Sequence, residues 1–263
     1  MANIEGGTIL VAAPRDPRSE IPKEFLREGY TKGITEAGMT YDVVYPGMTK
    51  EEIQRKYQMS NGLLVVGGYD WNANRYGQTP SRHNDSSNDE QDENELMLLE
   101  MALNDGMPTL GICRGEQGQG IVLAKAYDAL IEDPSLFIQH VPDITDVVHN
   151  VQGYADLENN THEVDIEEDT IAHEIFNANK IVVPSGHHQV LNEEALKNIS
   201  ALVISGRSSI DRLVEIIELK SRNQFYFGMQ AHPEVFENLR KPLFKRFAKE
   251  ARRFARLRVP KAA

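Results

Sequence analysis

Pro108-Thr109-Leu110-Gly111-Ile112-Cys113-Arg114-Gly115 is an apolar run of strand length that ends in a thiol set between two glycines, with a helix pattern just beyond. Upstream of it, apolar runs and amphipathic segments alternate. Thr8 to Ala13 (TILVAA) reads as a strand, 22–38 as a helix stopped by Gly38, and Tyr41 to Tyr45 as a second strand. Thr49-Lys50-Glu51-Glu52 is a capping-box pattern that places Ile53 on a buried side, and Leu63 to Val66 is a third strand ending in Gly67-Gly68. Arg75 to Glu95 reads as a long polar surface loop. A helix from about Glu90 to Asp105 then carries Leu96, Leu99 and Leu103 on one face. This alternation predicts an α/β fold whose mostly parallel central sheet is covered by helices on both faces. After Pro134 the runs Glu163–Ile166, Ile181–Val183, Leu202–Ser205, Leu213–Leu219 and Phe225–Met229 follow with few helices between them, which predicts added antiparallel strands in the same sheet. A basic C-terminal helix, about 235–258, turns Leu243, Phe247, Ala251 and Phe254 inward. One domain over 1–263 is expected.

The 263 residues carry a formal net charge of −12, which argues against a nucleic-acid partner, since phosphate contacts need a basic surface. No apolar stretch is long enough for a bilayer, and the start lacks a signal-peptide pattern, so a cytoplasmic protein with no membrane partner is expected. The basic terminal helix reads as a solvated face, with the acidic run Asp85 to Glu95 as its electrostatic complement, in this chain or a neighbour.

Cys113 is the one cysteine. A lone thiol in an apolar run is often a core residue. Here the flanking glycines relieve crowding in a tight strand-to-helix turn, as in a nucleophile elbow, and the helix start offers unpaired N–H groups. A thiol needs a base to raise its thiolate fraction. Among eight histidines, His232 has the most telling setting: the strand Phe225–Met229 ends in Gln230-Ala231-His232-Pro233-Glu234, which can bring the ring to the same sheet edge and a carboxylate to orient it. Taken alone, that segment also suits a surface turn. A base of ordinary pKa predicts activity falling as His232 protonates at acidic pH. Gly67 and Gly68, at a neighbouring strand end, suit an oxyanion hole, although a plain turn fits them equally. No metal site is expected, because the adjacent side chains of His187 and His188 diverge, no helix holds an i, i+4 histidine pair and there is no second cysteine.

Gly111-Ile112-Cys113-Arg114-Gly115 with Gln117, Gly228 to Glu234, and the Gly67-Gly68 loop together resemble a class I glutamine amidotransferase domain. Val66 to Asp70 with Tyr76, His162-Glu163-Val164 and Ser185-Gly186-His187-His188-Gln189 resemble its gamma-glutamyl-gamma-aminobutyrate hydrolase branch. The resemblance runs from about Thr8 to Phe247. It implies a flavodoxin-like core and a triad of Cys113 as nucleophile, His232 as base and acid, and Glu234 as orienter. It further implies an oxyanion hole from the backbone of Arg114 and of Gly67 or Gly68, and a glutamyl site from Gln117 and Ser185, Gly186, His187, His188 and Gln189. The implied reaction is hydrolysis of a γ-glutamyl amide through a thioester, without cofactor. Departures are Gln91-Asp92 for Arg-Asp, Ala124-Lys125 for a Gly-Gly pair, Ala231 for an aromatic, and Gly118 and Gly120, read as added flexibility. A small γ-glutamyl molecule is the expected partner, with a homodimer or a synthetase partner also open. A glutaminase subunit and a non-catalytic binding protein are the competing readings.

Overall fold

The computed structural model describes residues 7–16, 25–81, 84, 87–127, 137–147, 149 and 156–258. The strands are β1 (Thr8–Ala12), β2 (Thr40–Val44), β3 (Gly62–Val65), β4 (Thr109–Ile112), β5 (Ile138–His140), β6 (Thr161–Ile166), β7 (Lys180–Pro184), β8 (Gln189–Leu191), β9 (Leu202–Ser208), β10 (Val214–Leu219) and β11 (Tyr226–Met229). Nine of them form one sheet in the order β2-β1-β3-β4-β11-β10-β9-β6-β7. From β2 to β11 every pairing is parallel; from β11 to β7 every pairing is antiparallel. β5 and β8 pair separately as a small antiparallel ribbon.

Alternate residues of the central strands face opposite sides, so each strand feeds two cores. Leu10, Ala12, Leu63 and Val65 join α2 (Lys50–Gln58), α3 (Asp89–Asp105) and α4 (Arg114–Ala126) on one face. Ile9, Val11, Leu64, Leu110 and Ile112 meet Tyr30 and Ile34 of α1 (Glu28–Glu36), and Leu243, Phe244 and Phe247 of α8 (Glu237–Arg258), on the other. Each of those large side chains stabilises the sandwich by about 1.5–3 kcal/mol on burial. Short helices α5 (Val141–Ile144), α6 (Ile171–Phe176) and α7 (Glu193–Leu196) lie among the later strands.

The capping box at Thr49 and Glu52 forms in both directions, and Ile53 is buried. The first helix is shorter than the 22–38 expected: Arg27 is extended, and 22–24 lie outside the described residues. The polar 75–95 stretch is not one loop, since a 3-10 turn spans Ala73–Tyr76 and α3 starts at Asp89. Asp85 lies outside the described residues, and among the described residues the acidic run does not meet the basic helix. Asp92 and Glu95 are buried on the inner side of α3, and the α8 arginines turn elsewhere: Arg240 to Glu36, Arg246 to Glu174, and Arg252 to the Ala37 and Gly38 carbonyls.

Candidate active site

Cys113 ends β4 and precedes the first residue of α4. Its backbone has φ 55 and ψ −109, a conformation that side chains rarely adopt. The glycines around it are required by close approach: a Cβ at Gly115 would stand 2.2 Å from the Val65 carbonyl oxygen, and one at Gly111 2.6 Å from the backbone of Gly115. The strain is held by the sheet, where the Cys113 N–H donates to the Met229 carbonyl at 2.8 Å. That bond joins the elbow to β11, and three residues past Met229 the chain reaches His232, whose N–H donates to Pro184 at 2.9 Å.

The thiol and imidazole therefore share one rim. Both pack on Gly67, where an added Cβ would lie 3.0 Å from His232 Cε1 and 3.6 Å from Cys113 Cβ. Glu234 Oε1 sits 2.8 Å from His232 Nδ1, so that nitrogen donates to the carboxylate and Nε2 is left for the sulfur. Burial alone would lower the His232 pKa, but the Glu234 carboxylate and the Cys113 sulfur outweigh it and raise the ring to about 10. Glu234 is shifted the other way: burial raises its carboxyl, His232 lowers it, and the net direction is down. Both neighbours thus favour the charged ring, the direction opposite to the neutral base that an acid-side fall of activity assumes.

Tyr30, which no sequence pattern singled out, completes this rim. Its hydroxyl bonds the Glu234 carboxylate and accepts the Gly67 N–H at 3.3 Å. The signal for it was local: a side chain at neighbouring Gly29 would strike the Glu234 carbonyl at 2.8 Å, so α1 can seat there only through a glycine. A cavity of about 400 Å³ opens above Cys113 and His232, lined also by Gly67, Gly68, Arg15, Arg27, Tyr69 and Gly186.

Arg114 contributes a buried brace as well as a helix-start amide. Its guanidinium lies 3.7 Å from the Trp71 ring, bonds Asp92 at 2.6 Å and Glu95 at 2.9 Å, and donates to the Tyr69 carbonyl at 2.9 Å. Trp71 returns its indole N–H to the Arg114 carbonyl at 2.9 Å. The Gln91 of the departing Gln91-Asp92 pair donates to Glu95 at 2.7 Å. Gly118 is a packing glycine: a Cβ there would lie 2.5 Å from Trp71, and one at Gly120 2.8 Å from Leu191, so the expected added flexibility is corrected.

The expected glutamyl-binding residues do not converge. Among Ser185 to Gln189 only Gly186 lines the cavity. Ser185 donates to the His149 carbonyl at 2.8 Å, and His187 turns toward Glu215, 3.4 Å away. His188 approaches Asp70 at 3.2 Å, and Gln189 is buried in β8. Gln117 is buried and donates to Gln230 at 3.1 Å; Gln230 in turn reaches Cys113 Sγ at 3.5 Å. The physical reason is the ribbon of β5 and β8, which draws the segment after β7 under the sheet rim and turns its polar side chains away from the thiol. Glu116, also unread, is buried on the first turn of α4 without a hydrogen-bond partner among the described residues. Burial, then Glu215 and Cys113, push its carboxyl well above the usual range.

The Peptidase C26 family model matches residues 9–234, from β1 to the carboxylate beside His232. The chain is 30% identical over 238 residues to "Putative glutamine amidotransferase Rv2859c" of Mycobacterium tuberculosis, covering 90% of this chain and 70% of that one. It is 28% identical to the CTP synthase of Staphylococcus haemolyticus over 73% of this chain, which spans only 34% of that longer protein. In fold it is similar to the glutaminase domain of Trypanosoma brucei CTPS with bound acivicin, with a TM-score of 0.63 at 15% identity and 94% of both chains covered. Because the matched stretch takes in the whole parallel half of the sheet and the Cys113, His232 and Glu234 rim, the chain belongs to the peptidase C26 family, among the class I glutamine amidotransferase-like proteins.

Proposed function

We propose that the protein hydrolyses the amide of a γ-glutamyl compound, glutamine or a γ-glutamyl amine, through a thioester on Cys113. The observation that carries this reading is the strained elbow cysteine set beside an imidazole that a buried carboxylate holds in place. In this reading the Cys113 thiolate attacks the γ-carbonyl carbon and the carbonyl oxygen becomes an oxyanion. The Gly67 N–H is engaged by Tyr30, so the Gly68 and Arg114 amides are the pair that would receive it. Collapse of the tetrahedral adduct breaks the C–N bond, and the His232 imidazolium gives its proton to the departing amine. Neutral His232 then takes a proton from water, which attacks the thioester and releases glutamate and the thiolate. Arg15 and Arg27 at the cavity mouth suit a substrate bearing carboxylates.

Glutamate release from glutamine and a panel of γ-glutamyl amines tests it. Cys113→Ala is expected to lower kcat/KM by at least about 10³-fold, the scale on which a nucleophile's removal is felt. Unchanged turnover in that variant would end the proposal. Similarity to CTP synthases favours a second reading, a glutaminase feeding ammonia to a separate synthetase. It requires low turnover by the chain alone and stimulation by a co-purifying partner; full activity of the isolated chain excludes it.

A further inference from the structure

Next to the 185–188 segment, four buried side chains from four separate segments converge. They are His149 after α5, His162 on β6, His187 after β7 and Glu215 on β10. Glu215 Oε1 lies 2.9 Å from His162 Nε2, 3.4 Å from His187 Nε2 and 3.9 Å from His149 Nδ1. These are ion-pair contacts that fall short of hydrogen-bond geometry, so His162 Nε2, His187 Nε2 and both Glu215 oxygens lack a geometric hydrogen bond among the described residues. Buried polar groups gathered this way without aligned hydrogen bonds are costly, and a cation between them would satisfy their lone pairs. The ligand atoms of His149, His162 and Glu215 all lie within 4.8 Å of one another, and ligands on a tetrahedron at about 2.0–2.1 Å from a zinc ion stand roughly 3.4 Å apart.

The outer contacts set the lone pairs inward. His187 Nδ1 lies 3.1 Å from the Gln189 carbonyl, which can only accept, so Nδ1 carries the proton and Nε2 presents a lone pair to the cluster. His149 Nε2 lies 2.9 Å from the Asp211 carboxylate, which leaves Nδ1 facing Glu215. Ser185, 3.4 Å from that Nδ1, donates instead to the His149 carbonyl at 2.8 Å, and the His187 N–H bonds the same carbonyl at 3.0 Å. Imidazoles whose second nitrogens are held by a carboxylate and a carbonyl are the pattern of metal-binding histidines.

We propose that His149, His162 and Glu215 bind one divalent transition-metal ion, zinc by the fit of two imidazole nitrogens and a carboxylate oxygen, with His187 Nε2 at the edge of the site 3.4 Å from Glu215. The ligands are buried and come from separate segments of the chain, so the ion's role is structural. It pins the 185–188 segment, and with it Gly186 of the cavity wall, to β6 and to β10, whose Glu215 carbonyl holds the Gln230 N–H at 2.9 Å. The assignment does not depend on the reaction proposed above. It replaces the expectation of no metal, which rested on short spacings along the chain; these ligands are dispersed over 67 positions and meet only through the antiparallel half of the sheet.

The test is calorimetric titration of the untagged full-length chain with Zn²⁺ after dialysis against a chelator, paired with Co²⁺ absorption spectra. About one equivalent of Zn²⁺ and the visible bands of tetrahedral Co²⁺ are expected for the wild type, and for Cys113→Ala. Glu215→Gln is expected to lose the equivalent. Asp211→Asn keeps every ligand and is expected to weaken affinity about 10–100-fold, so it decides the matter if Glu215→Gln fails to fold. Absence of binding by the folded wild type would show a metal-free ion-pair cluster and overturn the proposal. Wild-type affinity in Asp211→Asn and Glu215→Gln, or loss of the equivalent in Cys113→Ala, would overturn it too.

Discussion

Cys113 holds a backbone conformation that costs of order 1–3 kcal/mol for a residue with a side chain and almost nothing for glycine. Cys113→Gly should therefore abolish hydrolysis while raising stability by about 1 kcal/mol, which for a chain of this size is about 2–4 °C in Tm. Calorimetry of the purified variant checks this, and a lower Tm would show that the elbow is relaxed. The neighbouring imidazole sets the pH dependence. With His232 raised to about 10, its proton is present on the ring from acid through neutrality and is lost only as pH rises toward that value. The limb of the kcat/KM profile that belongs to His232 is thus the alkaline one, near pH 10, where the proton donor for the leaving amine disappears. Glu234→Gln removes the anion that holds this proton, so the same limb should move to lower pH. A His232-dependent fall centred near pH 6.5 in the wild type would contradict the raised pKa.

At the scale of elements, the elbow is fixed by what packs behind α4. Arg114 sits between Asp92 and Glu95 of α3, beneath the Trp71 ring, and with its remaining donor holds the loop after β3 through the Tyr69 carbonyl. Removing the cation strands two carboxylates in a dry environment, so Arg114→Met should cost about 3–5 kcal/mol. The triple variant with Asp92→Asn and Glu95→Gln should recover much of that loss, because no uncompensated charge then remains. Urea titrations of the single and triple variants distinguish this from simple packing damage, in which the triple would be no better. The strand, glycine and capping signals of these elements were legible in the sequence because each is local: Thr49 with Glu52, Gly111 beside Cys113, the apolar run of β4. The inward turn of Asp92 and Glu95 was not. A charge run normally marks a solvated face, and its partner here lies about twenty positions away, on a helix whose one arginine reads as solvent-facing.

Across the whole molecule, the order of strands was readable where hydrophobic runs alternate with helices, and the joining of β11 to β4 brings Cys113 and His232 together as their strand-end positions implied. The histidine cluster under the antiparallel half escaped notice because no pair of its members shares a helix face or a short spacing. Glu116 and Glu215 escaped for the same reason, since a glutamate in a sequence carries no mark of burial. Glu116 has a consequence for the pH dependence of stability. Its folded carboxyl titrates well above the usual value, so above about pH 4.5 the native state keeps a proton that the unfolded chain has released. Where the native state binds more protons, stability falls as pH rises, and the loss continues until the folded carboxyl itself ionises. Glu116→Gln keeps the shape and carries no titratable proton, so it should match the wild type near pH 4 and exceed it increasingly as pH rises, until the folded carboxyl ionises. Melting curves of the two proteins over a series of pH values measure the gap. A constant difference, or one that closes as pH rises, would show that Glu116 reaches water or a cation in solution.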